Sequence, residues 1–286
     1  MSAFCSRSFR IAAYFFLGLF FFPNALFAQT SSQIEITYIG NEGFLISDGR
    51  SKILIDALYG PGLQGYMVVP KARRDSLEKA LPPFDDVDLV LATHYHGDHF
   101  NPRSVGRYLL HNTKAVFIST AQAGDRLANA FGRYEEIASR VKCGTPPEGK
   151  IIKHAFSDFE LEVFFLHHGR GRTVQNLGFL LKIGGRKILH IGDTEANAED
   201  FRLYDLLEQK IDIGLIPSWY LQYPKYKKAL REAIQPAEIL VMHLSPYGSD
   251  VSWVKRWGGW DKMLRDMKTA FPNARFALKG TEKFSF

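Results

Sequence analysis

Four side chains able to bind metal fall within six positions of one another, His94, His96, Asp98 and His99, in the run Asp88-Leu-Val-Leu-Ala-Thr-His-Tyr-His-Gly-Asp-His-Phe100. The pattern is HxHxDH at the C-terminal end of an apolar stretch. In an extended segment His94 and His96 point the same way, because side chains alternate with a period of two. Gly97 is expected to let the chain turn sharply and bring Asp98 and His99 back toward the same point. Neutral imidazoles and a carboxylate suit Zn²⁺, with Mn²⁺ and Fe²⁺ as alternatives. So many ligands in so short a run exceed what one ion can use. The spacing therefore suggests two divalent ions close together, each completed by residues from elsewhere. Three of the nine histidines of the chain lie in these six positions, a clustering that a chance polar loop does not explain.

A framework must hold such ligands. Apolar and alternating runs predict strands over 34–39, 43–47, 52–56, 87–92, 115–119, 151–155, 160–166, 178–183, 187–191, 211–217, 239–243 and 275–278. Helical spacing appears over 73–81, 103–110, 121–131, 134–140, 198–208, 226–235 and 260–271. This order suits two mixed sheets packed together with helices outside, an α+β architecture. The two halves look roughly alike, too faintly to name a repeat. No GxxxxGK phosphate loop and no GxSxG nucleophile elbow occurs.

Composition bounds the rest. With 46% hydrophobic and 23% charged residues among 286, the chain is globular rather than disordered, collagen-like or coiled-coil. The net charge of +6 permits an anionic substrate and does not by itself argue for nucleic acid. Arg7 and Arg10 precede an uncharged apolar run over 11–22, and Ala25-Leu-Phe-Ala28 ends on a small residue. That is the form of a secretory signal, residues 1–28, leaving 29–286 as one exported domain, periplasmic or secreted. The apolar run is too short to span a bilayer, and no later segment is long and apolar enough. Of the two cysteines only Cys143 would remain, without a disulfide partner, so stability must come from packing, metal or both.

The chain resembles the metallo-β-lactamase-fold hydrolases, on HxHxDH and on the opening stretch Ile36-Thr-Tyr-Ile-Gly-Asn-Glu-Gly-Phe-Leu-Ile46 with Lys52-Ile-Leu-Ile-Asp56. Within them it is similar to the branch of ascorbate-phosphate lactonase-like and N-acylphosphatidylethanolamine phospholipase D-like proteins. The family implies a four-layer αββα sandwich with metals at one edge between the sheets. Its further ligands match His168 in His167-His168-Gly169, Asp193 in Ile191-Gly-Asp-Thr194 and His243 in Leu240-Val-Met-His243. The resemblance implies that His94, His96 and His168 hold one ion. Asp98, His99 and His243 hold the other, Asp193 bridges them, and a shared hydroxide is the nucleophile. Asp98 is then the carboxylate expected to serve catalysis as well as binding. His167 stays open as the alternative to His168. Asn41 stands where many relatives of this branch carry His, which would alter substrate choice if it faces substrate.

Other residues have two readings each. Asp56 either orients a metal ligand or begins a turn. Tyr59, Tyr66, Trp219, Tyr220 and Tyr223 either line the substrate pocket or pack. Arg170, Arg172 and Lys225 either bind an anionic group or face solvent. His190 reads as a hydrogen-bonded core residue, His111 and His154 as structural or exposed, and Cys143 as an inert thiol. The Trp253–Trp260 segment reads as a helix cap or loop. The expected function is two-metal hydrolysis of an ester, lactone or phosphodiester in a small or lipid-like, anionic substrate. The alternatives are a binding module without catalysis and a di-iron redox protein. The diiron relatives usually carry a carboxylate in place of His96, which favours hydrolysis.

Overall fold

The computed structural model describes residues 33–60, 65–169 and 171–286. The expected signal over 1–28 and Arg170 lie outside the described residues. Along the chain come β1 (Glu35–Gly40), β2 (Gly43–Ser47), β3 (Lys52–Ile55), α1 (Lys71–Glu78), β4 (Leu89–Leu91), α2 (Pro102–His111), β5 (Val116–Ser119), α3 (Ala121–Ala130), β6 (Val141–Cys143) and β7 (Ile151–Ala155). Then come β8 (Phe159–His167), β9 (Gln175–Ile183), β10 (Arg186–His190), α4 (Ala198–Arg202), β11 (Ile213–Pro217), α5 (Pro224–Ala229), β12 (Glu238–Met242), α6 (Ser252–Arg256), α7 (Trp260–Ala270), β13 (Ala274–Phe276) and β14 (Lys283–Ser285).

The strands form two seven-stranded sheets, in the orders β14-β1-β2-β3-β4-β5-β6 and β13-β12-β11-β10-β9-β8-β7. In the first, β1 to β3 make an antiparallel meander, and β4, β5 and β6 join it in parallel. In the second, β7 to β10 are antiparallel, and β11, β12 and β13 continue in parallel. The halves therefore do repeat in topology, although their sequences show it only faintly.

Period-two alternation builds three cores between four layers. Ile53, Ile55, Leu89 and Leu91 face inward and meet Leu177, Phe179, Leu181, Leu215 and Leu240 of the other sheet. The intervening Leu54 and Val90 pack against Leu77, Val105, Leu109 and Leu127 of α1, α2 and α3. On the far side Leu189, Ile216 and Val241 meet Phe201, Tyr220, Met263 and Met267. This is the α+β sandwich of two mixed sheets flanked by helices, as expected.

The helical segments depart from expectation in detail. The helix expected over 198–208 stops at Arg202, where Tyr204 N–H turns back to the Phe201 carbonyl and Asp205 takes φ 49°. The stretch 134–140 is two 3₁₀ turns. The helix over 226–235 starts earlier, at Pro224, and ends in a π-helical turn, Leu230–Ile234, stopped by Gln235 at φ 49°. Strands β6 and β14 and helix α6 were not expected. Among the described residues no helix is long and apolar enough to cross a membrane.

One close approach fixes the second sheet. Gly178 of β9 pairs with Phe164 of β8, and a Cβ there would stand 2.3 Å from the Phe164 ring and 2.9 Å from Leu166. Gly178→Ala is expected to cost about 1–3 kcal/mol, the usual penalty of overpacking. The measurement is the urea midpoint at unchanged m-value. A midpoint at the wild-type value would show that the ring moves aside without penalty.

Candidate metal centre

β4 runs into Thr93 and His94, and Asp56, just after β3, braces the segment beyond them. One Asp56 oxygen accepts the Thr93 backbone N–H at 2.7 Å. The other accepts the Thr93 hydroxyl at 2.7 Å and pairs with His99 Nδ1 at 2.9 Å. Asp56 therefore orients a cluster histidine, which decides between its two readings. The His96 carbonyl accepts N–H bonds from His99 at 3.1 Å and Phe100 at 2.9 Å, closing the turn that returns Asp98 and His99 to the site. Asn101 then caps α2 by accepting the Ser104 N–H. Gly97 is not what makes the turn possible. Its φ is not positive, and a Cβ there would meet nothing within 4 Å.

The second sheet supplies the remaining groups at strand ends. His168 follows β8, Asp193 follows β10 and His243 follows β12. Gly192, at φ 57°, is required before Asp193, since a Cβ would lie 2.4 Å from Asn176 Oδ1 and 2.7 Å from Thr93 Cβ. Backbone bonds lock the sheets together here: Leu177 N–H to the Thr93 carbonyl at 2.9 Å and His243 N–H to the Asn41 carbonyl at 3.2 Å. Asn41, Asp56 and His243 all sit at positive φ (48°, 45° and 56°), strain that the surrounding hydrogen bonds hold in place.

The side chains converge as two groups, His94–His96–His168 and Asp98–His99–Asp193–His243, with ligand atoms in each group within 4.8 Å of one another. Asp193 stands between them. Its carboxylate is 4.0 Å from His94 Nε2, 3.7 Å from His168 Nε2, 3.4 Å from His99 Nε2 and 3.2 Å from His243 Nε2. Asp98 Oδ2 is 3.6 Å from His99 Nε2 and 3.8 Å from His243 Nε2. Ligands about 2.0–2.2 Å from a tetrahedral ion lie ~3.3 Å apart, so the spacing is close to that of coordination shells. Nε2 of His94, His99, His168 and His243 and Oδ1 of Asp193 are buried with no hydrogen-bond partner. Buried polar atoms are almost always satisfied. The donor set therefore fits two divalent ions.

The electrostatics of the first group agree. Burial holds His94 well below the usual imidazole range, with His99 beside it adding to the effect, and burial also lowers His96 and His168. These are neutral imidazoles with lone pairs to give. Burial alone would raise Asp193, but His243 and His99 hold it well below the carboxylate range. Burial alone would lower His99, yet Asp193 and Asp56 lift it well above its ordinary value.

His167 turns outward to Glu148 at 3.2 Å, so His168 is the one brought into the cluster. Trp219 packs edge-on to His243 at 5.0 Å, and Tyr66 at 4.5 Å, so both flank the centre. Two expectations need correction. Asn41 is fully buried and donates from Nδ2 to Asp98 Oδ2 at 3.2 Å, so it positions a ligand and does not line a substrate surface. Tyr220 is fully buried in the outer core and donates to the Ala196 carbonyl at 2.8 Å, away from the centre that Trp219 flanks.

Several bland readings stand. Tyr59 is buried and donates to the Met67 carbonyl, and Tyr223 packs edge-on to Trp257. Arg172 and Lys225 are exposed. His190 is buried and donates to the Glu42 carbonyl at 3.1 Å. His111 is exposed and His154 half-buried. The Trp253–Trp260 segment forms α6 and the start of α7, with both end indoles hydrogen-bonded. Burial pushes the Cys143 thiol up to about 12, which fits an inert side chain. Glu42 and Thr93 escaped the sequence reading. Thr93 adjoins the motif, whereas Glu42 carries no signal in its own stretch.

Residues 51–249 match the family described as the beta-lactamase superfamily domain. The chain belongs to that superfamily. It is 28% identical over 221 residues to a UPF0173 metal-dependent hydrolase of Pyrococcus furiosus, covering 75% of this chain and 86% of that one. It is likewise 28% identical over 214 residues to a UPF0173 metal-dependent hydrolase of Symbiobacterium thermophilum, covering 73% and 84%. The metallo-beta-lactamase fold protein YhfI from Bacillus subtilis shares the fold at a TM-score of 0.58 and 15% identity, over 89% of this chain and 100% of that one. The comparisons support membership at the level of the superfamily.

Proposed function

We propose that this metal-dependent hydrolase of the beta-lactamase superfamily works with two divalent ions, zinc foremost, and cleaves an ester, lactone or phosphodiester. The observation that carries the reading is Asp193 placed between two ligand groups whose buried nitrogens have no other partner. The relatives named metal-dependent hydrolases support it. Divalent ions held there supply Lewis acidity and an activated water near neutral pH. The chain does the rest. Asp56 and Thr93 fix the tautomer and tilt of His99. Asn41 anchors one Asp98 oxygen, so that the Asp98 carboxylate is held in place to take the proton that the water gives up. Tyr66 and Trp219 shield His243 from solvent and offer an aromatic wall to an organic substrate. The lactone and phosphodiester classes come from the branch resemblance, and an ion-loaded pocket favours a small anionic substrate. The N-terminal pattern supports export with cleavage near Ala28.

The test is hydrolysis by the zinc-loaded protein across p-nitrophenyl esters, lactones and bis(p-nitrophenyl) phosphate. Turnover of at least one class, lost in Asp98→Ala, is the expected result. Wild type and Asp98→Ala equally inactive on every class would sink the proposal. Purified protein with iron and a visible absorption band would replace it with redox chemistry.

A further inference from the structure

Glu42 lies in the turn between β1 and β2 and is wholly buried. Neither of its carboxyl oxygens has a hydrogen-bond partner. Two backbone bonds pin the turn: His190 Nε2 donates to the Glu42 carbonyl at 3.1 Å, and His243 N–H donates to the Asn41 carbonyl at 3.2 Å. The side chain is thus held where it is, facing the cluster. Its Oε2 is 3.7 Å from His99 Nδ1, and its carboxyl group faces Asp193, another acceptor. With Asp56 and His99 it forms a third close group.

Asp56 and Glu42 differ in one respect. The oxygens of Asp56 are taken by Thr93 and His99. Those of Glu42 are free, and among the described residues its ion-pair contact is with His99 alone. His99 at 3.7 Å is beyond hydrogen-bond reach, and a buried carboxyl group that accepts no hydrogen bond is expensive to keep. The compensation in reach is the positive charge that ions bring to His99 and Asp193, both members of the second ligand group. Glu42 forms no such close group with His94, His96 or His168.

We infer that Glu42 is a positioning residue for one of the two ions: through His99 it strengthens binding by the Asp98–His99–Asp193–His243 group. This rests on the two-ion reading above. Asp56 makes the hydrogen bond that orients the His99 ring, and Glu42 adds a second carboxyl group behind it; loss of an outer partner of a ligating imidazole typically weakens metal binding about 10–100-fold. The effect is selective, because the first group does not touch Glu42.

The experiment is calorimetric titration of Zn²⁺ into the metal-free full chain, as wild type, Glu42→Gln and Glu42→Ala, with melting curves of the metal-free forms. Wild type is expected to bind two ions. Both variants are expected to weaken one step about 10–100-fold and leave the other unchanged. In a His96→Ala background, which removes a ligand of the first group, Glu42→Gln should weaken the step that remains. Metal-free Glu42→Gln should melt no lower than metal-free wild type, since it loses an uncompensated buried carboxyl group and keeps its shape. A merely structural role predicts the opposite, a lower melting point in the metal-free form. Two unchanged steps, two equally weakened steps, or a destabilised metal-free Glu42→Gln would each overturn the inference. Wild type that binds no zinc would remove the two-ion reading itself, a separate and recognisable outcome.

Discussion

Asp193→Ala is expected to lose stoichiometric metal and to drop kcat/KM by well over ~100-fold, more than loss of an outer partner produces. Its carboxylate is within 4.0 Å of four imidazole Nε2 atoms drawn from both groups. On the two-ion reading, loss of any other candidate ligand weakens one ion first. On the same reading, removing Asp193 takes the shared anion from both ions and leaves imidazoles of two groups facing one another. Mass-spectrometric metal content and kcat/KM, measured on the same preparation, give the result. A variant with full metal and wild-type kcat/KM would mean that Asp193 bridges nothing. Metal retained while turnover is lost would shift its role from binding to chemistry. Asp193→Asn separates charge from shape: it keeps the side-chain volume and should still lose metal.

Chelation should lower the melting temperature by about 20 °C, reversibly on adding Zn²⁺. Ions that bind the folded chain at ~1,000 times their Kd each add about 4 kcal/mol. For a domain of this size each kcal/mol is worth about 2–4 °C. The structural reason is on both sides of the seam. Ligands come from the turn after β4 in one sheet and from the ends of β8, β10 and β12 in the other. Without ions, Nε2 of His94, His99, His168 and His243 and Oδ1 of Asp193 are buried there without a hydrogen-bond partner. A melting temperature unmoved by chelation, with metal content shown to be zero, would reduce the centre to a feature without structural weight.

The first sheet's share of the candidate site was legible because HxHxDH places four potential ligands in one short run, at the end of a strand marked by its own apolar residues. The second sheet offered single histidines and one aspartate, and the resemblance was needed to pick them out. His167 and His168 show the limit. Adjacent residues at a strand end face opposite ways, and only the packed structure says that His167 meets Glu148 and His168 the cluster. Trp219 and Tyr220 repeat the lesson, one flanking His243 and the other buried in the outer core. Glu42 was hidden for another reason. Gly40-Asn-Glu-Gly43 has the composition of an exposed turn, and it is buried by His190 and His243, some 148 residues or more away in the chain. The short strands Val141–Cys143 and Lys283–Ser285 carry too little apolar pattern to announce themselves.

The last strand has a consequence for how the chain folds. β14 pairs with β1, Glu35 opposite Ser285, and the Ile34 and Phe286 backbones bond to each other at 3.0 and 3.1 Å. In the second sheet, neighbours in space are also neighbours in sequence, so its pairings can form as the polypeptide emerges from the ribosome. The first sheet cannot close until β14, the last of its strands in sequence, has been made. Until then β1, with Ile36, Tyr38 and Ile39, presents an open edge able to recruit another nascent copy. Contacts between residues far apart in sequence are also slow to form. Lys283, paired with Glu35 at 2.9 Å, places a charge on the strand that finally seals that edge.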